Sequence, residues 1–135
     1  MILRKQLLTF KVSPVPASRP RIPRFGKPYY NKTYANFKKD MQDMVDNMDI
    51  VLFEKKLAVK QTFYMPIPKS MSKKKQELLD GKLCDSGGDM DNLLKAIWDS
   101  LNRIAFCDDK QIVISSEAKY YSTNPRIEIE IEEVE

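Results

Sequence analysis

The sequence predicts an α/β protein of the α+β type: one small mixed β-sheet with helices packed against it, in a single domain covering 1–135. Three observations carry that expectation. The chain has 135 residues, enough for one compact core and too few for two ordinary domains. Hydrophobic residues make up 42% and charged residues 31%, the balance of a globular chain rather than a disordered one. Apolar residues alternate with period two in some segments and recur at helical spacing in others.

Taken in order, Leu3 to Val12 reads as a strand in which Leu7, Leu8, Phe10 and Val12 partly alternate. Ser13 to Pro28 follows as an extended loop, because Pro14, Pro16, Pro20, Pro23 and Pro28 remove both helix and ladder options. Asn31 or Thr33 caps a helix reaching about Asn47, with Tyr34, Phe37, Met41, Met44, Val45 and Met48 as its packed stripe. Leu57 to Met65 is the next strand, closed by Pro66 and Pro68. Ser70 or Ser72 caps a short basic helix, Lys73 to Leu79, ended by Gly81. Asp85 to Gly88 makes a tight loop, and a helix runs from about Asp91, as its N-cap, to Ile104. Two strands finish the chain, Gln111–Tyr120 and Arg126–Val134; in the second, Ile127, Ile129, Ile131 and Val134 oppose Glu128, Glu130 and Glu132.

Composition excludes several chemistries. There is no histidine, so His-based triads, His-metal nucleases and imidazole bases are out, leaving carboxylates, lysine, tyrosine or a metal on oxygen ligands. Cys84 and Cys107 are too few for a disulfide framework or a thiolate zinc site. No apolar run approaches the ~20 residues of a membrane span. The opening Met-Ile-Leu-Arg-Lys-Gln lacks an h-region and a cleavage site, so a cytoplasmic location is expected.

Charge is unevenly spread. Residues 1–40 hold ten Lys/Arg against one acid, whereas residues 81–135 hold six against twelve. The first part suits a polyanion, with Arg19, Arg21, Arg24 and Lys27 crowded into the proline-rich loop and Lys73, Lys74 and Lys75 as a second basic group. The acids concentrate in Gly87-Gly88-Asp89-Met90-Asp91-Asn92-Leu93-Leu94-Lys95 and, one helix later, Asp108-Asp109. Residues two apart point about 200° away from each other on a helix. Asp89 and Asp91 therefore converge only if Asp89 lies on the loop before it. Asp108-Asp109 starts at the far end of a helix of roughly 20 Å. It meets the first pair only if the chain folds back, so the spacing leaves open whether three acids meet. Such a cluster makes electrostatic sense around a cation, and an all-oxygen shell prefers Mg²⁺ or Mn²⁺. Lys95, on the polar side with Asp99, either balances that site or forms a surface ion pair.

The run Gly88-Asp89-Met90-Asp91-Asn92-Leu93-Leu94-Lys95-Ala96-Ile97, continued by Asp99, Leu101 and Asn102 and then by Asp108-Asp109-x-Gln111-Ile112, closely resembles the RusA family of Holliday junction resolvases. Pro16-Ala17-Ser18-Arg19-Pro20-Arg21 is similar to that family's N-terminal segment, and Pro68-Lys69-Ser70-Met71-Ser72-Lys73-Lys74 to its middle one; Lys119 also fits. The resemblance implies a RusA-like fold and a homodimeric, bacterial or phage-encoded endodeoxyribonuclease. It would use Mg²⁺ or Mn²⁺ to make paired nicks in four-way DNA junctions during recombination and repair. It places Asp89, Asp91 and Asp109 as metal-binding catalytic acids and Lys95 as the catalytic lysine; Asp108 and Asp99 match motif positions without an assigned role. Gly87-Gly88 departs from the proline or basic residue common there, which bears on the local DNA contact. Two other classes compete with this reading. One is a DNA-binding module without turnover; the other is a metal-dependent nucleotide phosphohydrolase, which has no need of the basic loop.

Overall fold

A computed structural model describes residues 3–29 and 31–135; Met1 and Ile2, which open the N-terminal segment read above, lie outside them. Its elements in chain order are β1 (Lys5–Phe10), α1 (Lys32–Asp46), β2 (Leu57–Pro66), α2 (Lys73–Leu79), α3 (Met90–Leu101), a 3-10 turn at Asp109–Gln111, β3 (Ile112–Ser122) and β4 (Arg126–Glu133). The four strands form one sheet in the order β1-β4-β2-β3. β4 is antiparallel to both of its neighbours, and β2 and β3 are parallel. The expected mixed sheet with helices against it is therefore the fold.

The sheet has one apolar face, and its register explains why. Phe10 and Phe63 both pair with Ile127, and Leu8 pairs with Ile129, so residues of one parity stack across three strands. These side chains are buried together with Tyr34, Phe37, Met41 and Val45 of α1 and Leu93, Ile97 and Leu101 of α3. The amphipathic stripes of α1 and α3 thus close over the sheet and over each other. The opposite face carries Lys60, Thr62, Tyr64, Glu128 and Glu130. There Arg126 lies 3.7 Å over the Tyr64 ring, and Lys5 pairs with Glu130.

β3 and β4 are consecutive in sequence, yet β2 lies between them. Three residues, Thr123 to Pro125, bridge two strand spacings, about 9.6 Å, which an extended tripeptide spans. They pass beyond the end of β2, where Pro66 pairs with Ser122 and Tyr64 with Arg126.

Several boundaries differ from the sequence reading. Asn31, not Thr33, caps α1, with its side chain accepting the Tyr34 N–H at 2.8 Å. Ser72 caps α2, no residue of which is buried. The cap of α3 is Asp89 rather than Asp91, because the Gly87-Gly88 turn lets the helix begin at Met90. The same helix stops at Leu101, three residues early. Arg103 takes φ +67, and its N–H bonds the Phe106 carbonyl at 2.7 Å, which turns Ala105 and Phe106 into the core. In β4 the buried position after Ile131 goes to Glu133, not Val134. That carboxylate receives the Arg4 guanidinium at 2.9 Å, and the Arg4 backbone N–H, with the guanidinium second, holds it below the usual range.

One buried polar side chain joins helix to sheet. Gln61, fully buried in β2, donates its amide N–H to the Ser115 hydroxyl and the Ser116 carbonyl, both at 3.0 Å. Its carbonyl accepts the Trp98 indole N–H at 3.1 Å. Replacing Trp98 by Phe keeps a ring there but leaves the buried Gln61 carbonyl unpaired. We expect a loss of about 1–3 kcal/mol in urea unfolding. A loss below ~0.5 kcal/mol would mean that this bond does not tie α3 to the sheet.

Candidate active site

The acid-rich run is presented by the start of α3, and close backbone packing sets its position. Gly87 and Gly88 have φ of +89 and +111, a region L-residues rarely adopt. A Cβ on Gly88 would lie 2.8 Å from Pro16 Cγ, and one on Gly87 would collide with Met65 Cε. The proline-arginine segment is thus packed directly on the turn before α3. It is also hydrogen-bonded there. The Ala17 N–H donates to the Asn92 carbonyl at 2.9 Å, and the Asn31 side chain donates to the Ser18 hydroxyl at 3.1 Å. Between them lies a cleft of about 400 Å³ whose lining includes Ser18, Asn31, Thr33, Gly88, Asp89 and Asn92. Lys119, near the end of β3, donates from Nζ to the Gly88 carbonyl at 2.7 Å.

Asp89 caps α3 by backbone geometry alone, with no side-chain cap hydrogen bond. Its carboxylate is therefore not consumed by the helix terminus. Asp91, exposed in the first turn, accepts the Asn92 N–H at 3.0 Å. One turn on, Lys95 Nζ pairs with Asp99 Oδ2 at 3.1 Å, both exposed. Asp91, Lys95 and Asp99 follow one another at intervals of four, so they form a rank along the polar side of α3 roughly 12 Å long.

Asp108 and Asp109 behave differently from each other. Asp108 caps the 3-10 turn and forms a capping box with Gln111. It accepts the Lys110 N–H at 2.9 Å, which holds its carboxyl low. Gln111 returns the bond to the Asp108 N–H at 3.0 Å and ties the turn to the carbonyls of Phe53 and Lys55. Asp109 titrates above the usual carboxylate range. Partial burial is the main cause; a hydrogen bond with Asp108 and the charges of Asp108 and Asp99 add to it, and Lys95 opposes it.

Asp109 is thus within electrostatic reach of Asp99 and Lys95 of that rank. The chain does run back along α3, as convergence required, and it brings Lys119 to the Gly88 carbonyl beside Asp89. Among the described residues, no three acidic or cysteine side chains stand close enough to hold one ion. The structure thus joins Asp109, Asp99 and Lys95 electrostatically and holds Asp89 and Asp91 at the helix start. Of the basic residues, Arg19, Arg21, Arg24, Lys27, Lys73, Lys74 and Lys75 are all exposed, and none pairs with an acid among the described residues. Of the other residues that line the cleft, Asn92 has its place in the acidic run and Ser18 in the proline-arginine segment, whereas Thr33 carries no site signal in the sequence.

The fold and this arrangement define a class: a single-domain α+β protein with an acid–lysine helix beside an arginine-bearing loop. The family model described as Endodeoxyribonuclease RusA matches residues 11–132, and the chain belongs to that family. It is also 41% identical over 75 residues to the uncharacterized protein YqaN of Bacillus subtilis (strain 168). The match covers 53% of each chain, so it spans about half the length of that relative.

The charge pattern at Asp109 is directly testable in metal-free protein. Asp99→Asn should lower the Asp109 pKa, and Lys95→Ala should raise it, in a carboxyl-carbon NMR titration. Asp109 binds its proton more tightly folded than unfolded. Its contribution to stability is therefore full below its unfolded pKa and lost as pH rises through the folded value. Asp109→Asn should accordingly gain stability relative to wild type above that window. An Asp109 pKa unmoved by both helix substitutions would place it away from α3.

Proposed function

We propose that this chain is a metal-dependent endodeoxyribonuclease that resolves four-way DNA junctions by paired nicks, as a cytoplasmic homodimer. The observation that carries the reading is the attachment of the arginine loop, through Pro16, Ala17 and Ser18, to the helix start that presents Asp89 and Asp91. DNA held by the loop's cations is thereby held at the acids. Two strands must be cut, and a two-fold dimer presents two sites related as the strands are.

The donor set suits Mg²⁺ or Mn²⁺: hard carboxylate oxygens, no histidine, and an Asp89 carboxylate with no cap hydrogen bond. Asp89 and Asp91 would hold the ion; no three acids stand close enough among the described residues to share it, so Asp109 would join them only by moving. When bound, such an ion supplies Lewis acidity at the scissile phosphate. Partial burial, with the neighbouring Asp108 and Asp99, raises the Asp109 pKa, so its carboxyl keeps a proton to a higher pH than an exposed carboxyl does. Lys95 offers a positive charge one turn from Asp91, where it offsets charge that develops in the transition state.

The separation of Asp109 from Asp89 and Asp91 favours a second reading, a DNA-binding protein without turnover. One assay decides: cleavage of a synthetic four-way junction against linear duplex, with Mg²⁺, Mn²⁺ or EDTA. Paired nicks that need the cation are expected; binding without nicking under all conditions establishes the second reading.

Two substitution sets refine the outcome. Asp91→Asn should retain fold and junction binding yet abolish nicking, since the helix is capped by Asp89. Lys95→Ala should lower the single-turnover rate by ~10²-fold or more at near-constant affinity. If Lys95 is only the surface partner of Asp99, the rate will hold and stability will change by less than ~0.5 kcal/mol.

Salt dependence tests the loop. Replacing Arg19, Arg21 and Arg24 together should flatten the log–log salt slope of binding by about 0.9 for each phosphate that is no longer neutralised. An unchanged slope moves the DNA surface elsewhere, with Lys73, Lys74 and Lys75 of α2 the next group to replace.

A further inference from the structure

The loop between β1 and α1 is not a featureless tether. Arg21 and Tyr29 form an antiparallel bridge, the Tyr29 N–H donating to the Arg21 carbonyl at 2.9 Å. The seven residues between them form an arch, with Gly26 at φ +104 and prolines at 23 and 28. The arch carries the two most exposed large apolar side chains of the described residues, Phe25 at its middle at 85% and Ile22 next to the bridge at 81%. The Arg24 guanidinium lies over the Phe25 ring at 5.9 Å. Nothing in the fold requires an aromatic ring in water at this place. The prolines and the bridge restrict the free arch, so presenting the ring to a ligand costs little further ordering.

Charge complementarity identifies the occupant. Arg24 and Lys27 lie on the arch, Arg21 at its base and Arg19 two residues before it, all exposed, and their charges match phosphates. The flat ring matches a nucleobase, because any base has a π-face to stack on. A second copy of this chain is a poor fit, since a two-fold contact at the tip would oppose like charges. In a linear duplex the bases are stacked on one another and closed to such a ring. At a branch point the stacking is interrupted.

We propose that Phe25, flanked by Ile22 and Arg24, is a wedge that stacks against an unstacked base at the DNA branch point and so distinguishes branched from linear DNA. The inference rests on the nuclease reading above and adds to it the residue that senses the branch. The position suits the role. The loop leaves the site at Ala17, bonded to Asn92, and Phe25 is eight residues further on, within about 28 Å at full extension. Apolar side chains placed beside phosphate-binding cations serve elsewhere as wedges between base steps.

The test uses the full chain in EDTA, so that no cleavage occurs, with a synthetic four-way junction and a linear duplex of equal length. A second junction carries 2-aminopurine beside the crossover, a base whose fluorescence rises when it leaves the stack. Phe25→Ala should lower the junction-over-duplex affinity ratio by about ten-fold or more. Duplex affinity should stay within two-fold, and the fluorescence rise should be lost. Phe25→Tyr, which keeps the ring, should retain both. A wild-type ratio and signal in Phe25→Ala overturn the wedge while leaving the nuclease reading intact. Equal wild-type affinity for junction and duplex also overturns the wedge, while the cleavage assay above decides the nuclease reading separately. Loss of self-association in Phe25→Ala by sedimentation, or Phe25-dependent binding to anionic phospholipid vesicles with junction binding unchanged, reassigns the tip and also overturns the proposal.

Discussion

The Gln61 side chain is buried without charge and satisfied on every side, and the placement of the functional helix depends on it. Its amide group anchors in β3 at Ser115 and Ser116, and its carbonyl takes the Trp98 indole N–H from α3. Apolar packing of Leu93, Ile97 and Leu101 alone would let α3 slide or rotate at modest cost, because dispersion contacts are not directional. A buried hydrogen bond is directional and expensive to leave unmade. It fixes which side of α3 faces outward, and hence where Asp91, Lys95 and Asp99 point.

The second constraint is close approach of backbone to backbone. Gly87 and Gly88 give up side chains so that Met65 and Pro16 can sit against the turn. The polar bonds at Ala17, Ser18 and Lys119 then join three distant stretches of chain around the start of α3. This junction brings the strongly basic N-terminal part of the chain to the acidic motif. Without it, the charge asymmetry would be only a property of the composition. With it, the loop that carries the arginines and the helix start that carries Asp89 and Asp91 are in direct contact.

Much of the architecture could be read from the sequence because it follows from local periodicity. The stripe of α1 and the alternation through Ile131 in β4 each appear in the fold as spaced. Asn31 was one of two caps read for α1, and its side chain made the choice by reaching the Tyr34 N–H. Gly87-Gly88 displaced the cap of α3 from Asp91 to Asp89, because positive-φ turns let the helix start earlier than polarity suggests. The turn at Arg103 ended α3 early. It serves the burial of Ala105 and Phe106, a need that arises only when the sheet is present.

The sequence by itself determined the chemistry available to this protein. It has acids, lysine and arginine without histidine, grouped as D-x-D-N-L-x-x-K, D-D-x-Q and a proline-arginine segment, and those motifs already indicated the family. Their residue types follow from short stretches of chain, so no tertiary contact was needed to see them. What only the tertiary structure decided is which groups share a neighbourhood. The parallel β2–β3 pairing runs β3 back along α3, so Lys119 meets Gly88, whereas no three acids come together among the described residues. Strand order is set by long-range pairing, which a reading of local periodicity cannot supply.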